Sequence, residues 1–232
     1  MIDFEEGTQG GEDGGLMGWL RRFDMNVPSE RTVGLDFATT NVANGELVVL
    51  PTDTVYGLGT DAFNIDAVAG LLAAKGRGRD MPVPVLVGSP RTLDGIATDL
   101  SDDARALVEG FWPGGLTIVA WVAPSLQWDL GDTGGTVAVR MPLHPVALEL
   151  LAATGPMAVS SANRSGQAAP TTVDEAIEQL GESVSIYLDG GPCGEAVPST
   201  IVDVTGSVAR VLRVGDVSVE ALRGVVGDLE VP

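Results

Sequence analysis

From Glu46 to Val226 the sequence alternates short apolar runs with stretches spaced like helices, and few architectures accommodate that rhythm. Leu47–Leu50 is continuously apolar and ends at Pro51, the pattern of a buried strand. Ile65–Lys75 places Ile65, Val68, Leu71 and Leu72 on one helical face, behind Asn64 as N-cap. Pro82–Val87, Leu116–Val122, Thr136–Met141, Met157–Ser160, Ser185–Leu188, Thr200–Val204 and Val208–Leu212 read as strands. Ser101–Phe111, Pro145–Ala153, Val173–Leu180 and Val219–Val226 read as helices, the third stopped by Gly181. This order predicts an α/β (α+β) fold: a twisted mixed sheet with helices on its faces. No linker interrupts it, so residues 31–228 are expected to form one domain. Residues 1–30, acidic and rich in glycine up to Gly15, are expected to be a flexible extension with a short amphipathic piece around Leu16–Phe23.

Charge narrows the function classes. Lys and Arg number 13 against 32 Asp and Glu, a formal net charge of -19. That balance argues against a broad basic face for nucleic acid or anionic membrane. One cysteine, Cys193, excludes a disulfide framework and a cysteine-based zinc site. One histidine, His144, stands between Pro142 and Pro145 and reads as a loop or cap residue. The first residues lack the basic stretch of a signal peptide, and no apolar run reaches the roughly 18–20 residues that span a bilayer. A cytoplasmic protein with no membrane role is expected.

Against this acidic background Lys75, the only lysine, lies within five positions of Arg77 and Arg79. Three cations interleaved with Gly76 and Gly78 make a donor-rich loop suited to a polyphosphate. The spacing is neither a Walker A motif nor G-x-G-x-x-G. Lys75 also ends a predicted helix, where a cation complements the dipole without any ligand. A second candidate is Pro51–Gly59, which follows a buried strand. It offers Thr52, Thr54, Tyr56 and Asp53, with Gly57 and Gly59 allowing close backbone approach. A polar turn explains the same residues. A third is Ser160–Gly166, where Ser161 and Asn163 either bond a ligand or cap a turn. A fourth is Arg140 inside an apolar strand, costly to bury unless an acid or a ligand anion pairs with it. Ser199 and Arg213 close later strands. Phe111–Gly115 reads as a packed corner.

Together these segments resemble the YrdC-like threonylcarbamoyl-AMP synthase family. The resemblance runs from about Gly45 to Gly215. It rests on PTDTVYGLG at 51–59, KGR at 75–77, FWPGGLT at 111–117, VAVRMPLHP at 137–145, SSANRSG at 160–166, DGGP at 189–192, STIVD at 199–203 and RVLRVG at 210–215. It implies an open twisted sheet around a large concave, positively charged cavity. It implies an L-threonylcarbamoyladenylate synthase, a nucleotidyltransferase that converts L-threonine, bicarbonate and ATP to threonylcarbamoyl-AMP and pyrophosphate. ATP would be a substrate, with Mg²⁺ carried by it and no metal held by protein side chains. The product would pass to a tRNA threonylcarbamoyl transferase complex, with tRNA itself bound at most weakly. By the same resemblance, Lys75, Arg77 and Arg140 would be catalytic. Thr54, Arg140 and Ser199 would bind threonine, with Arg140 on its carboxylate. Lys75, Arg77, Thr136, Ser161, Asn163 and Arg213 would bind the nucleotide.

Three departures bear on this. Gly78 stands where many members carry proline, so a more mobile loop is expected. Met81 and Leu86 replace polar ligand-contacting residues of some members, and no role is carried onto them. Longer members carry a second C-terminal domain, and none is expected in a chain of this length. Two alternatives remain open at this level: an RNA-binding module on the same fold, and another carbamoyl-adenylating enzyme.

Overall fold

A computed structural model describes residues 20–194 and 197–232. In chain order the elements are β1 (Arg21–Asp24), α1 (Pro28–Ala43), β2 (Val48–Leu50), β3 (Gly57–Asp61), α2 (Ile65–Lys75), β4 (Val85–Leu86) and α3 (Leu93–Ile96). There follow β5 (Ala97–Thr98), α4 (Asp102–Phe111), β6 (Leu116–Val122), β7 (Thr136–Arg140), α5 (Pro145–Thr154) and β8 (Met157–Ser161). The last are α6 (Val173–Leu180), β9 (Ile186–Asp189), β10 (Thr200–Asp203), β11 (Ala209–Arg213), α7 (Val219–Arg223) and β12 (Leu229–Glu230).

Side-chain caps set several helix starts. Asn64 accepts from Ala67 N, Ser101 from Ala104 N and Ser218 from Ala221 N, while Thr172 and Glu175 form a reciprocal capping box. All described strands join one sheet in the order β1-β9-β2-β3-β8-β4-β7-β6-β10-β11-β12, with β5 on β6. Pairings are mixed: β2–β3, β3–β8, β4–β8, β6–β7, β10–β11 and β5–β6 run antiparallel, the others parallel.

Alternation splits the core between the two faces of this sheet. Val85, Val139, Ala158 and Tyr187 point to one face, where Leu71 of α2, Leu107 of α4 and Ala176 of α6 cover them. Leu86, Met157, Val159 and Ile186 point to the other, under Ala38 and Val42 of α1 and Val146 and Leu150 of α5. The helices on that second face cover only part of it. On β7 and β6, Thr136, Ala138, Val119 and Trp121 alternate with the buried Val137, Val139, Ile118 and Ala120, yet are themselves only partly buried or exposed. Ile201 and Asp203 of β10 continue this uncovered strip.

The expected flexible extension over residues 1–30 is corrected at its C-terminal end. Residues 1–19 lie outside the described residues. Arg21–Asp24 is strand β1, paired in parallel with β9, and Met25 is 1% exposed. Pro28 then starts α1, a helix the apolar pattern did not signal. Its buried positions are Gly34, Ala38 and Val42, four residues apart but small, so little hydrophobic contrast marks the face. Their smallness lets α1 lie close on β1. A Cβ on Gly34 would stand 2.7 Å from Met25 Cε and 2.8 Å from Phe23 Cβ. Gly34→Val therefore forces α1 off β1, and urea denaturation should register a loss of about 1–3 kcal/mol, the usual scale of overpacking.

Candidate functional site

The cationic loop is built by the end of α2. Gly76 takes a left-handed conformation (φ +62°) and turns the chain back, with Arg77 N bonded to Leu72 O at 2.9 Å. This sends Lys75 inward. The residue is 3% exposed, and its ammonium donates to Asn163 O at 2.6 Å and to Ser161 O. Among the described residues no carboxylate pairs with it. Burial, reinforced by the charge of Arg77, lowers its pKa to about 8. Arg77 donates to Ser160 Oγ at 3.0 Å and to Pro82 O at 3.4 Å, while its buried Nε has no partner among the described residues. Burial lowers its pKa as well. A buried ammonium and a partly buried guanidinium, with no carboxylate bonded to either and only the charge of Asp80 near Arg77, are costly unless an anion completes the site.

Asn163 is 8% exposed; its amide donates to Arg164 O and Gln167 O, leaving Oδ1 buried without a partner among the described residues. Ser161 contributes its carbonyl to Lys75, and its side chain is half-buried at the end of β8. Arg79 leaves the cluster. Its guanidinium turns to Asp129 and Asp132 at the surface, so the expected three-cation group is in fact two.

The second cluster centres on Arg140, 7% exposed at the end of β7. Nε donates to Gly114 O at 2.9 Å, Nη1 to Thr54 Oγ1 at 2.8 Å and Nη2 to Asp53 Oδ1 at 2.7 Å. The choice left open in sequence, acid or ligand, resolves to Asp53 as the resident partner. Three of the five guanidinium N–H groups are occupied, and two remain for a ligand. Thr52 donates to Val55 O at 2.6 Å, so the 3.1 Å contact between Thr52 and Thr54 is donated by Thr54. Thr54 Oγ1 thus keeps one lone pair to accept from a ligand.

Ser199 Oγ lies 2.8 Å from Thr117 Oγ1, and Arg213 grips Ser199 through O at 2.7 Å and Oγ at 3.2 Å. Burial and then the charge of Arg140 lower the pKa of Arg213, which places these two guanidinium groups in one electrostatic neighbourhood. Thr136 is not joined to either cluster. It stands at the far end of the face that carries Arg140, its hydroxyl donated to Thr133 O at 2.8 Å.

The loop from Pro51 to Tyr56 links the clusters. It leaves β2 where Leu50 pairs with Gly57 and Gly57 with Ser161, and it carries Thr54 across to Arg140. Tyr56, fully buried, ties this loop to the Asp189–Gly191 turn: it donates to Gly191 O at 2.7 Å and accepts from Gly190 N at 3.1 Å. Gly57 and Gly59 do not line a ligand path. They lie in β3, where an added Cβ would meet Val159 Cγ1 at 2.7 Å or Met157 Cε at 2.9 Å.

His144 occupies the N-cap position of α5, as its flanking prolines suggested, and makes no capping bond with its side chain. Trp112 forms the expected corner through Nε1 to Leu116 O at 2.7 Å. Asp53 and Thr117 were missed as partners of Arg140 and Ser199. The adjacency of Asp53 to Thr54 was the available signal. A groove of about 360 Å³ lies between Leu93 and Trp112, lined by Arg91, Arg105 and Val108. None of the candidate residues lines it, so the two clusters and the uncovered strip are the candidate site.

A polyphosphate fits the Lys75–Arg77 cluster, and its binding will raise the pKa of Lys75. Pyrophosphate affinity, measured by calorimetry, should fall as pH rises through about 8. Proton uptake on binding near that pH should disappear in Lys75→Arg, and Lys75→Gln should lose most of the affinity.

Residues 40–215 match the family model described as "Telomere recombination", the Sua5/YciO/YrdC domain. A Mycobacterium tuberculosis protein, provisionally named a threonylcarbamoyl-AMP synthase, is 57% identical over 205 residues, covering 88% of this chain and 94% of that protein. The Bacillus subtilis threonylcarbamoyl-AMP synthase is 36% identical over 196 residues, covering 84% of this chain and 57% of its own longer one. Among solved structures, Pyrococcus abyssi Sua5 complexed with L-threonine superposes with a TM-score of 0.85 at 32% identity, over 92% of this chain and 62% of that one. Sequence and fold agree over the segment that carries both clusters, and the chain belongs to the Sua5/YciO/YrdC family.

Proposed function

We propose that the chain is an L-threonylcarbamoyladenylate synthase, a nucleotidyltransferase that makes threonylcarbamoyl-AMP and pyrophosphate from L-threonine, bicarbonate and ATP. The observation that carries this reading is the pairing of a cationic cluster, Lys75 and Arg77, in which neither cation is bonded to a carboxylate among the described residues, with a second cluster suited to an amino acid. The two free N–H groups of Arg140 match a carboxylate, and the free lone pair of Thr54 matches an ammonium or hydroxyl donor. The M. tuberculosis and B. subtilis relatives carry the name of this activity, and the P. abyssi structure holds L-threonine.

In this reading L-threonine and bicarbonate condense to the carbamate with loss of water. A carbamate oxygen then attacks the α-phosphorus of ATP, the bond from that phosphorus to the bridging oxygen breaks, and pyrophosphate leaves. The protein forms no covalent bond. Lys75 and Arg77 hold the β- and γ-phosphates and neutralise the charge that grows on the departing pyrophosphate. Arg140, fixed on Asp53, orients the substrate carboxylate, with Thr54 and Ser199 alongside. Ser161, Asn163, Thr136 and Arg213 are assigned to the nucleotide; the unpartnered Oδ1 of Asn163 supplies an acceptor for one of its donors. Alignment of the two reactants accounts for most of the expected acceleration. The donors around the phosphate cluster are ammonium and guanidinium groups, which do not coordinate a cation. Mg²⁺ therefore belongs to the reading only as a companion of ATP, and no residue is assigned to it. The adenylate would serve a downstream transferase complex acting on tRNA in the cytoplasm. Among the described residues no helix is long and apolar enough to cross a membrane.

Pyrophosphate release from ATP should require both threonine and bicarbonate. Release with bicarbonate but without selectivity for threonine would identify another carbamoyl-adenylating enzyme. No release, with salt-sensitive tRNA binding, would identify an RNA-binding module. Arg77→Ala should raise KM for ATP at least tenfold while its unfolding transition stays close to that of the parent chain.

A further inference from the structure

The loop between α2 and β4 carries Arg77 and continues through Gly78, Arg79 and Asp80, with no proline to stiffen it before Pro82. In the structure it is nevertheless fastened, from outside, by the segment joining β6 to β7, residues 123–135. Four observations describe the fastening. Arg79 forks onto Asp129 with Nη1 to Oδ2 at 3.0 Å and Nη2 to Oδ1 at 2.8 Å, and its Nε faces Asp132 at 3.4 Å. The backbones join where Asp132 N donates to Arg79 O at 2.8 Å and Val83 N to Leu130 O at 2.9 Å. Leu130 inserts into the core at 2% exposure. Trp128 stacks on Phe63, just before the N-cap of α2, with ring centroids 5.5 Å apart.

These contacts bracket the phosphate-binding segment. One pin lies before α2, and the others lie immediately after Arg77. Arg77 itself reaches Pro82 O, so the far end of its guanidinium bonds to the stretch that the segment holds.

We propose that residues 123–135 are a strap that positions the phosphate-binding loop, with Arg79, Asp129 and Trp128 as positioning residues that touch no substrate. This rests on the reading of Lys75 and Arg77 as the phosphate-binding pair. The strap takes over the stiffening that a proline after Arg77 would give, by a bidentate ion pair and an aromatic stack in place of a fixed φ. The ion pair is open to water, with side chains 55% and 33% exposed, so salt weakens it.

The sign of a charge change tests the idea. Asp129→Ala removes a negative charge from the neighbourhood of an anion site. Acting through charge alone, it would tighten pyrophosphate binding; acting through the strap, it must weaken it. The expected result is pyrophosphate affinity lowered about threefold to fivefold in Asp129→Ala, the scale that an exposed ion pair can supply. Trp128→Ala, which alters no charge, should weaken binding by a similar factor. Both should speed amide hydrogen exchange over residues 77–83 and leave exchange in β7 and β8 unchanged. In turnover, KM for ATP should rise while kcat at saturating ATP holds. Unchanged or tighter pyrophosphate binding in Asp129→Ala, or unchanged exchange over 77–83 in both variants, overturns the proposal. Pyrophosphate affinity and exchange are read without turnover, so a parent chain that binds pyrophosphate but makes no threonylcarbamoyl-AMP refutes the function and leaves the strap to be judged by the same variants.

Discussion

A lysine ammonium buried on backbone carbonyls, with no carboxylate beside it, is the condition around which this structure is arranged. Lys75 can occupy that position because α2 ends in a left-handed glycine and because the last residue of β8 and the turn after it each aim a carbonyl at it. Carbonyl dipoles compensate an ammonium only partly, which is why its proton is held so loosely. Placing a second cation, Arg77, in the same region adds to the deficit. The fold tolerates this because the rest of the chain is strongly acidic and the sheet beneath is well packed on both faces. In the proposed reading, a polyphosphate would supply the negative charge that these two cations lack.

The sheet's partial cover gives the ligand somewhere to lie. α1 and α5 shield the half of one face formed by β2, β8 and β4, and stop short of β7, β6 and β10. On that uncovered strip a strand can turn Arg140 onto the open face, where Asp53, Thr54 and Gly114 cover it, and Val139 to the core on the next pleat. Asp53 makes the arginine affordable to bury without using all its donors. The site therefore combines rigidity, from strand and ion pair, with unsatisfied bonding capacity.

Much of this was legible in the sequence where local chemistry and long-range packing agree. Asn64 and Ser101 act as caps where their side chains suggested, and β6 spans Leu116–Val122 as its apolar run indicated. The elements that escaped are those whose pattern is made by close approach rather than by large apolar groups. β3 begins Gly57-Leu58-Gly59, which reads as a loop until Val159 and Met157 are seen to fill the missing side chains. α1 buries glycine and alanine, so its face carries no stripe. In the site, residue types were informative and partners were not. Nothing in spacing joins Arg140 to Asp53 across 87 positions, or separates Arg79 from Arg77 although they are two apart.

The β1–β9 pairing has a consequence for where this domain begins. β9 lies inside the sheet only because Arg21–Asp24 runs alongside it, and Arg22 clamps Asp189 at 2.6 Å, the residue whose turn receives Tyr56. A chain started at residue 31, the boundary that composition suggested, would leave β9 as a bare edge with its backbone donors and acceptors unpaired. Such an edge is a template for another chain, so the shortened protein would tend toward strand-mediated self-association. The same cut would free the turn that anchors the amino-acid cluster. Protection of the sheet edge and support of the proposed substrate cluster therefore share a single strand, one that contributes no atom to either cluster.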